Sequence, residues 1–362
     1  MTTPLVSAIV PVFNKGPYLN EAIASLRAQN YPNLEILVRD DGSSDNSASV
    51  MKELERTFPD LRFRLYFDSN RGASFSRNFL IERASGDLLC LMDADDQMAP
   101  GFITAAVSAV VSQHASVVYS DVELIGDRTG EWCPPAFDAY TIRYGNGLTT
   151  LSVLKKELWS AVGGYNVGLP FNEDWSFFIN IAQLTTGFVK LPGKYFRYRQ
   201  LNSGLYRSFV NENWSKNLAM VTLANSRLYP VEEIINAISE LESISTAWQA
   251  KLADHATKHP GSPLPRILLA LPAGRCGNFP LYQSLLEAAL PLAEPEIRWV
   301  VHFLLARLFL QNDPKQAVHH LHSGRTLRPD LARFANPEIQ TILSASHQPD
   351  NPQPKTTTPR PG

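Results

Sequence analysis

The chain has 362 residues, 33 basic and 35 acidic side chains, and a formal charge of −2. That length holds two or three domains and a substantial core, and the balanced charge gives no global reason to expect nucleic-acid binding or adhesion to an anionic surface. Three cysteines, Cys90, Cys133 and Cys276, are far apart and lack metal-ligand spacing, so they read as reduced thiols of a cytosolic protein. No apolar stretch approaches ~18 residues and the N-terminus carries no leader pattern; the expectation is a soluble, cytoplasmic chain that can still act beside a membrane.

Val6 to Phe13 reads as a strand, and Asn14-Lys15-Gly16-Pro17 as a turn into a helix that begins with proline. Leu19, Ile23 and Leu26 give that helix one apolar face. Leu34 to Val38 is a second strand, ending in Arg39-Asp40-Asp41-Gly42-Ser43-Ser44-Asp45. Acidic, Gly and Ser residues directly after a strand mark a ligand-facing loop, with Asp45 placed to cap a helix through Thr57. Phe63 to Phe67 is a third strand, followed by Asp68 to Gly72 and a helix with Arg77 and Asn78.

The fourth strand, Leu88 to Met92, releases Asp93, Asp95 and Asp96 before Pro100 opens the next helix. Carboxylates crowded at the end of a buried strand repel one another, so they call for a bound cation or an open, solvated crevice. Oxygen ligands without His or Cys favour Mg²⁺ or Mn²⁺, which completes its shell with water and phosphate oxygens. The competing reading is a surface turn whose aspartates cap a helix. Strands alternating with helices at this spacing imply a doubly wound parallel sheet, and ligands of such sheets sit beyond the strands' C-terminal ends, where Asn14, Asp40, Asp41, Arg71, Asp93 and Asp95 all fall.

Further on, Ser116 to Tyr119 is expected as a strand, Gly126 to Gly147 as an irregular substrate-side region, and Lys155 to Val162 as a helix stopped by Gly163-Gly164. Asn172-Glu173-Asp174-Trp175 opens another helix, and Gly187 to Leu191 and Tyr195 to Tyr198 are expected as two short strands. Beyond Tyr206 the pattern is helical: Leu218 to Leu228, Val231 to Leu252 and Leu281 to Leu290, with His255 to Gly277 expected as a linker and Gln348 to Gly362 as a disordered tail.

Taken together, Val10-Pro11-Val12-Phe13-Asn14, Tyr31-Pro32-Asn33-Leu34-Glu35-Ile36, Asp40 to Asp45, Asn70-Arg71-Gly72, Ser76-Arg77-Asn78, Asp93-Ala94-Asp95-Asp96, Gly163-Gly164-Tyr165 and Glu173-Asp174-Trp175 resemble glycosyltransferase family 2 in order and spacing. The resemblance implies a GT-A fold over residues 1–205 and metal-dependent, inverting transfer from a nucleoside-diphosphate sugar, a UDP-sugar above all, to a glycan, lipid-linked or protein-linked acceptor. It implies a donor site of Pro11, Val12, Phe13, Asn14, Asp40, Asp41, Arg71, Arg77, Asp93, Ala94 and Asp95. Mn²⁺ or Mg²⁺ would rest on Asp95 and Asp93, and Asp174 would be the general base. Alternatives stay open: Arg77 paired with Glu82 on the surface, Asp41 closing its own turn, Glu173 as the base. Where relatives often carry Tyr-Arg-x-His, this chain has Tyr198-Arg199-Gln200-Leu201, so no histidine joins the metal.

Residues 298–332 resemble most of one tetratricopeptide repeat, within a helical domain expected over 206–347; it serves as a cap or as a surface for a protein partner. A catalytically idle scaffold is the alternative function, disfavoured by the joint presence of Asp95 and Asp174. Nucleotidyl transfer is a third reading, for which the turn after the first strand lacks the glycines of a phosphate loop.

Overall fold

The computed structural model describes residues 3–59, 62–202, 214–310 and 312–333. Its first half is the expected alternation. Strand β1 (Val6–Val12) leads into helix α1 (Gly16–Arg27), β2 (Leu34–Asp40) into α2 (Ser47–Thr57), β3 (Arg62–Phe67) into α3 (Ala73–Arg83), and β4 (Leu88–Leu91) into the acidic turn. The four strands are parallel in the order β3-β2-β1-β4. Val6 is level with both Leu34 and Leu88, and Val12 with Asp40, so all four C-terminal ends open on one crevice. Strands β1, β2 and β4 are covered on both faces by apolar side chains, as central parallel strands require, and β3 at the edge is only partly buried.

The second half makes the sheet mixed. The two-residue β5 (Gln97–Met98) precedes α4 (Phe102–Ser112); then come β6 (Val117–Gly126), β7 (Gly130–Trp132), β8 (Ser152–Lys155), α5 (Lys156–Ala161), α6 (Glu173–Ile181) and β9 (Phe188–Gln200). Strand β8 lies antiparallel between β4 and β6, and β9 runs parallel to β6 and carries β5 on its other edge. Three expectations are corrected here. Residues 188–200 form one long strand with a register shift opposite Asp121, where two short strands were expected over 187–191 and 195–198. Part of 126–147 is the short β7, paired to β6. The segment before α5 is a strand, because β4 offers it an unpaired edge.

Helices α7 (Trp214–Ala224), α8 (Val231–Leu241), α9 (Thr246–Lys258), α10 (Leu264–Arg275), α11 (Phe279–Ala289), α12 (Pro295–Phe309) and α13 (Pro314–Leu327) share one core, into which Leu169 and Phe171 reach from the loop before α6. The periodic stretch 231–252 is broken by Ser245, whose side chain caps α9. The expected linker is wrong for most of its length: α10 buries Ile267, Leu268 and Leu271, and its Pro265 sits in the first turn, where a missing N–H costs nothing. In the segment likened to a tetratricopeptide repeat, α12 and α13 form a hairpin, with Gly324 lying against Trp299 and His302. Trp299, Leu304 and Leu321 join the common helical core. No described helix is long and apolar enough to cross a membrane. Residues 348–362, expected to be disordered, lie outside the described residues, as does the junction at 203–213.

Candidate active site

The crevice is built by four loops, and much of their polar chemistry holds the loops to one another. Asn14 adopts a left-handed conformation with φ 52°, tolerable for Asn, and its Oδ1 accepts from Ser44 N at 2.8 Å while its own N–H donates to Ser43 Oγ at 2.9 Å. Asp45 accepts from Ser47 N at 2.9 Å and Gly16 N at 3.0 Å, so one carboxylate serves the N-termini of α2 and α1 together. Gly42 has φ 73°, and a Cβ there would stand 2.7 Å from Asn70 N, so the loops after β2 and β3 close only around a glycine.

Asp41 is buried and fully engaged. Its carboxylate accepts from Arg71 N at 2.9 Å and Gly72 N at 2.7 Å and pairs with the buried Arg39. It fastens the 70–72 loop, and the Asn14 side chain likewise ties the turn after β1 to the loop after β2. Asp40 accepts from Ser43 N at 3.3 Å. Pro11 and Val12 end β1 at the crevice, Phe13 is half exposed beyond them, and the Arg71 guanidinium lies 3.5 Å from the centre of the Phe75 ring.

Arg77 is the largest departure from expectation. Its side chain is 4 % exposed, so it neither pairs with Glu82 on the surface nor extends freely toward a diphosphate. One end donates to Asp93 Oδ1 at 2.6 Å and the other to Glu173 Oε1 at 2.6 Å. The guanidinium fork thereby joins the turn after β4 to the start of α6, across 96 residues of sequence. Beside it, Asn78 accepts from Trp159 Nε1 and Tyr165 N and donates to Tyr165 O, which anchors the Gly163-Gly164-Tyr165 loop.

In the acidic turn, Asp95 pairs with Lys15 and its carbonyl accepts from Arg199 Nε at 2.7 Å. Asp96 is buried: Oδ1 accepts from Arg199 N at 2.8 Å and Oδ2 has no partner. Burial, with the charges of Asp95 and Asp93 adding to it, pushes its carboxyl well above the usual range and disfavours its ionised form. Ala94 is buried between them. Across the crevice Asp174 accepts from Trp175 N at 2.7 Å and from Thr150 Oγ1 at 3.3 Å. Burial and then the neighbouring Glu173 push its carboxyl up to about 6, against the opposing pull of Arg77. Lys15, Thr150 and Arg199 are the contributors that sequence reasoning passed over; Lys15 alone carried a signal, a cation next to the Asn14 turn.

Among the described residues, no group of three His, Cys, Asp or Glu side chains is arranged around one metal position. Asp93 and Asp95, 30 % and 15 % exposed, each commit one oxygen to a basic partner, so the other oxygen of each lies outside these pairs. Two carboxylate oxygens fit a hard divalent cation that draws the rest of its shell from water and a diphosphate. Replacing Arg77 by Met leaves Asp93 and Glu173 facing each other uncompensated. We expect a loss of about 3 kcal/mol in urea unfolding, the low end for a broken buried pair because Asp93 is partly exposed; an unchanged midpoint would show that the bridge carries no load.

With this geometry in hand, comparison with known proteins is consistent throughout. Residues 7–168 match the family described as glycosyl transferase family 2. An uncharacterized glycosyltransferase of Haemophilus influenzae is 30% identical over 186 residues, 50% of this chain and 72% of that protein. The Escherichia coli protein WfgD, a UDP-Glc:alpha-D-GlcNAc-diphosphoundecaprenol beta-1,3-glucosyltransferase, is 28% identical over 195 residues, 51% of this chain and 75% of its own. Among solved structures, S. aureus TarS 1-349 in complex with UDP-GlcNAc superposes with a TM-score of 0.52 over 91% of this chain and 92% of that one, at 18% identity, which establishes the shared GT-A fold. A parallel half-sheet opening on an acidic turn, with a second acidic pair across the crevice, is thus this chain's form of a common architecture, and the chain belongs to glycosyl transferase family 2.

Proposed function

We propose that this glycosyltransferase moves a sugar from a UDP-sugar to a hydroxyl of a glycan or glycoconjugate with inversion, using Asp174 as general base and a divalent cation on Asp95 and Asp93. The observation that carries the reading is the division of labour in the Glu173-Asp174 pair. Glu173 is tied to Arg77, whereas Asp174 keeps only a long hydroxyl contact and a backbone bond and has its pKa raised to about 6. A carboxylate of that basicity suits removal of a proton from an attacking hydroxyl near neutral pH. The nucleotide named for TarS and the UDP-Glc and lipid-linked acceptor named for WfgD support a uridine donor and an acceptor of that kind.

In this reading the backbone at Pro11 to Phe13 and the Asp40 carboxylate receive the base and ribose, and Arg71 stands at the rim. Asp41 and Asn14 act from behind, by holding the loops that shape the pocket. When bound, the cation supplies positive charge to the departing diphosphate. Lys15, already on Asp95, adds a second positive charge at the same end of the crevice. Thr150 orients the Asp174 carboxylate toward the acceptor side.

Two outcomes follow. Asp174 works deprotonated, so kcat/KM rises with pH up to about 6 and then levels; Asp174→Asn removes that limb and lowers turnover by about 10²–10⁴-fold, with UDP affinity unchanged. The same variant melts higher at pH 8, because the fold disfavours the charge it removes. A pH profile flat through this range in the wild type would reject Asp174 as base. For the metal, calorimetry of UDP with and without Mn²⁺ is expected to show mutual tightening that Asp95→Asn abolishes. UDP binding indifferent to Mn²⁺ in both proteins would rule the cation out.

A further inference from the structure

We propose that the pocket walled by Trp132, Phe137 and Trp214 binds a sugar ring of the acceptor, with Asn146 and Asp138 as its hydrogen-bond acceptors. The cleft holds about 300 Å³, at the small end for ligand sites. Three aromatic side chains line it, and two have one face already packed. Phe137 stacks on Phe188 at 3.8 Å between centroids, and Trp214 stacks on the buried Trp175 at 5.3 Å while 47 % of it stays exposed. Rings held rigid on one side and open on the other are suited to the C–H face of a pyranose, and they lose little entropy on contact.

The polar groups point to the same occupant. Asn146 lines the cleft, and its Oδ1 is buried without a partner. Asp138 commits Oδ1 to Tyr140 N at 3.1 Å and Thr141 N at 2.7 Å, bonds that lower its pKa below the ordinary carboxylate value, Thr141 above all. An unpaired buried acceptor is costly, and a hydroxyl donor relieves that cost where a hydrocarbon tail cannot. A sugar presents both an apolar face and hydroxyl donors.

Position ties the pocket to the acceptor. Its wall continues directly into the base: Trp175, next to Asp174, donates through Nε1 to Ile142 O at 2.6 Å, and Leu148 is followed within two residues by Thr150, which touches Asp174. The donor crevice lies at the ends of β1 to β4, whereas this cleft is lined from the segments after β6 and by the start of α7. The assignment rests on the proposed function for the word acceptor, but its test does not.

Saturation-transfer NMR on the full chain, with methyl β-glucoside, lactose, cellobiose and diacetylchitobiose as probes, reads binding without turnover. At least one of them is expected to bind, and Trp214→Ala and Asn146→Ala each to weaken it about tenfold, the loss of one stacked ring or one hydrogen bond. All three proteins are expected to bind UDP equally in calorimetry. Failure of all four sugars, or equal binding by the variants, would overturn the assignment. So would binding of decyl β-glucoside with none of methyl β-glucoside, which identifies an apolar occupant. Loss of UDP binding by the wild type would fall on the donor reading and leave the sugar arm intact.

Discussion

The structure is governed by the need to keep five carboxyl groups together at one crevice. Asp93, Asp95, Asp96, Glu173 and Asp174 come from two segments far apart in sequence, and unpaired they would drive those segments apart. Three devices oppose this: the Arg77 fork holds Asp93 and Glu173, Lys15 holds Asp95, and burial disfavours the charged form of Asp96. Asp174 has no ion-pair partner among the described residues, and burial pushes its carboxyl up to about 6.

Arg77 can do this only if α3 is held at a fixed height, and the chain of bonds that holds it is continuous. Arg39, inside β2, pairs with Asp41 and donates to Ser76 Oγ at 2.6 Å; Asp41 receives Gly72 N, and Gly72 O in turn accepts from Ser76 N at 3.0 Å. The start of α3 is therefore bolted to the sheet one turn before Arg77. On the far side the helical half performs the same service for α6. Asn172 Nδ2 donates to Asn217 Oδ1 at 2.8 Å, Asn225 bonds Ser176 and Asn180, and Tyr229 Oη donates to Arg143 O at 2.7 Å, which fixes the segment that carries Ile142 to Leu148. His255 meets Val167 O at 2.7 Å, and His259 stands beside Gly72, so α9 braces both walls. The helices thus act on the chemistry by rigidity, without supplying a reacting group.

What the sequence made legible was the part written in local patterns. The apolar runs of β1, β2 and β4, the Pro17 start of α1 and the acidic turn all declare themselves within a few residues. Strand β8 did not, because Ser152-Val-Leu-Lys155 has no distinctive pattern and becomes a strand only by pairing with β4. Helix α10 was mistaken for a linker because Pro265 and Pro272 outweighed the spacing of Ile267, Leu268 and Leu271, yet one proline lies in the first turn and the core absorbs the other. At the site, Asp93 and Asp95 lie just past the end of β4, where the alternation of strands and helices put them. The loop-closing bonds of Asn14 and Asp41 were not legible, because a carboxylate or amide that closes a loop and one that faces a ligand look alike in sequence. The bridge from Arg77 to Glu173 was not legible either, since nothing local announces a partner 96 residues away.

The account turns on a hydroxyl activated by Asp174 attacking the face opposite a leaving diphosphate. Proton NMR of the first product formed from an α-linked UDP-sugar and an accepted saccharide tests this most directly. The account predicts a β-anomeric coupling in the new glycoside from the earliest time points. An α-linked product would contradict it, and would mean that the acidic pair across the crevice serves some other step than single displacement.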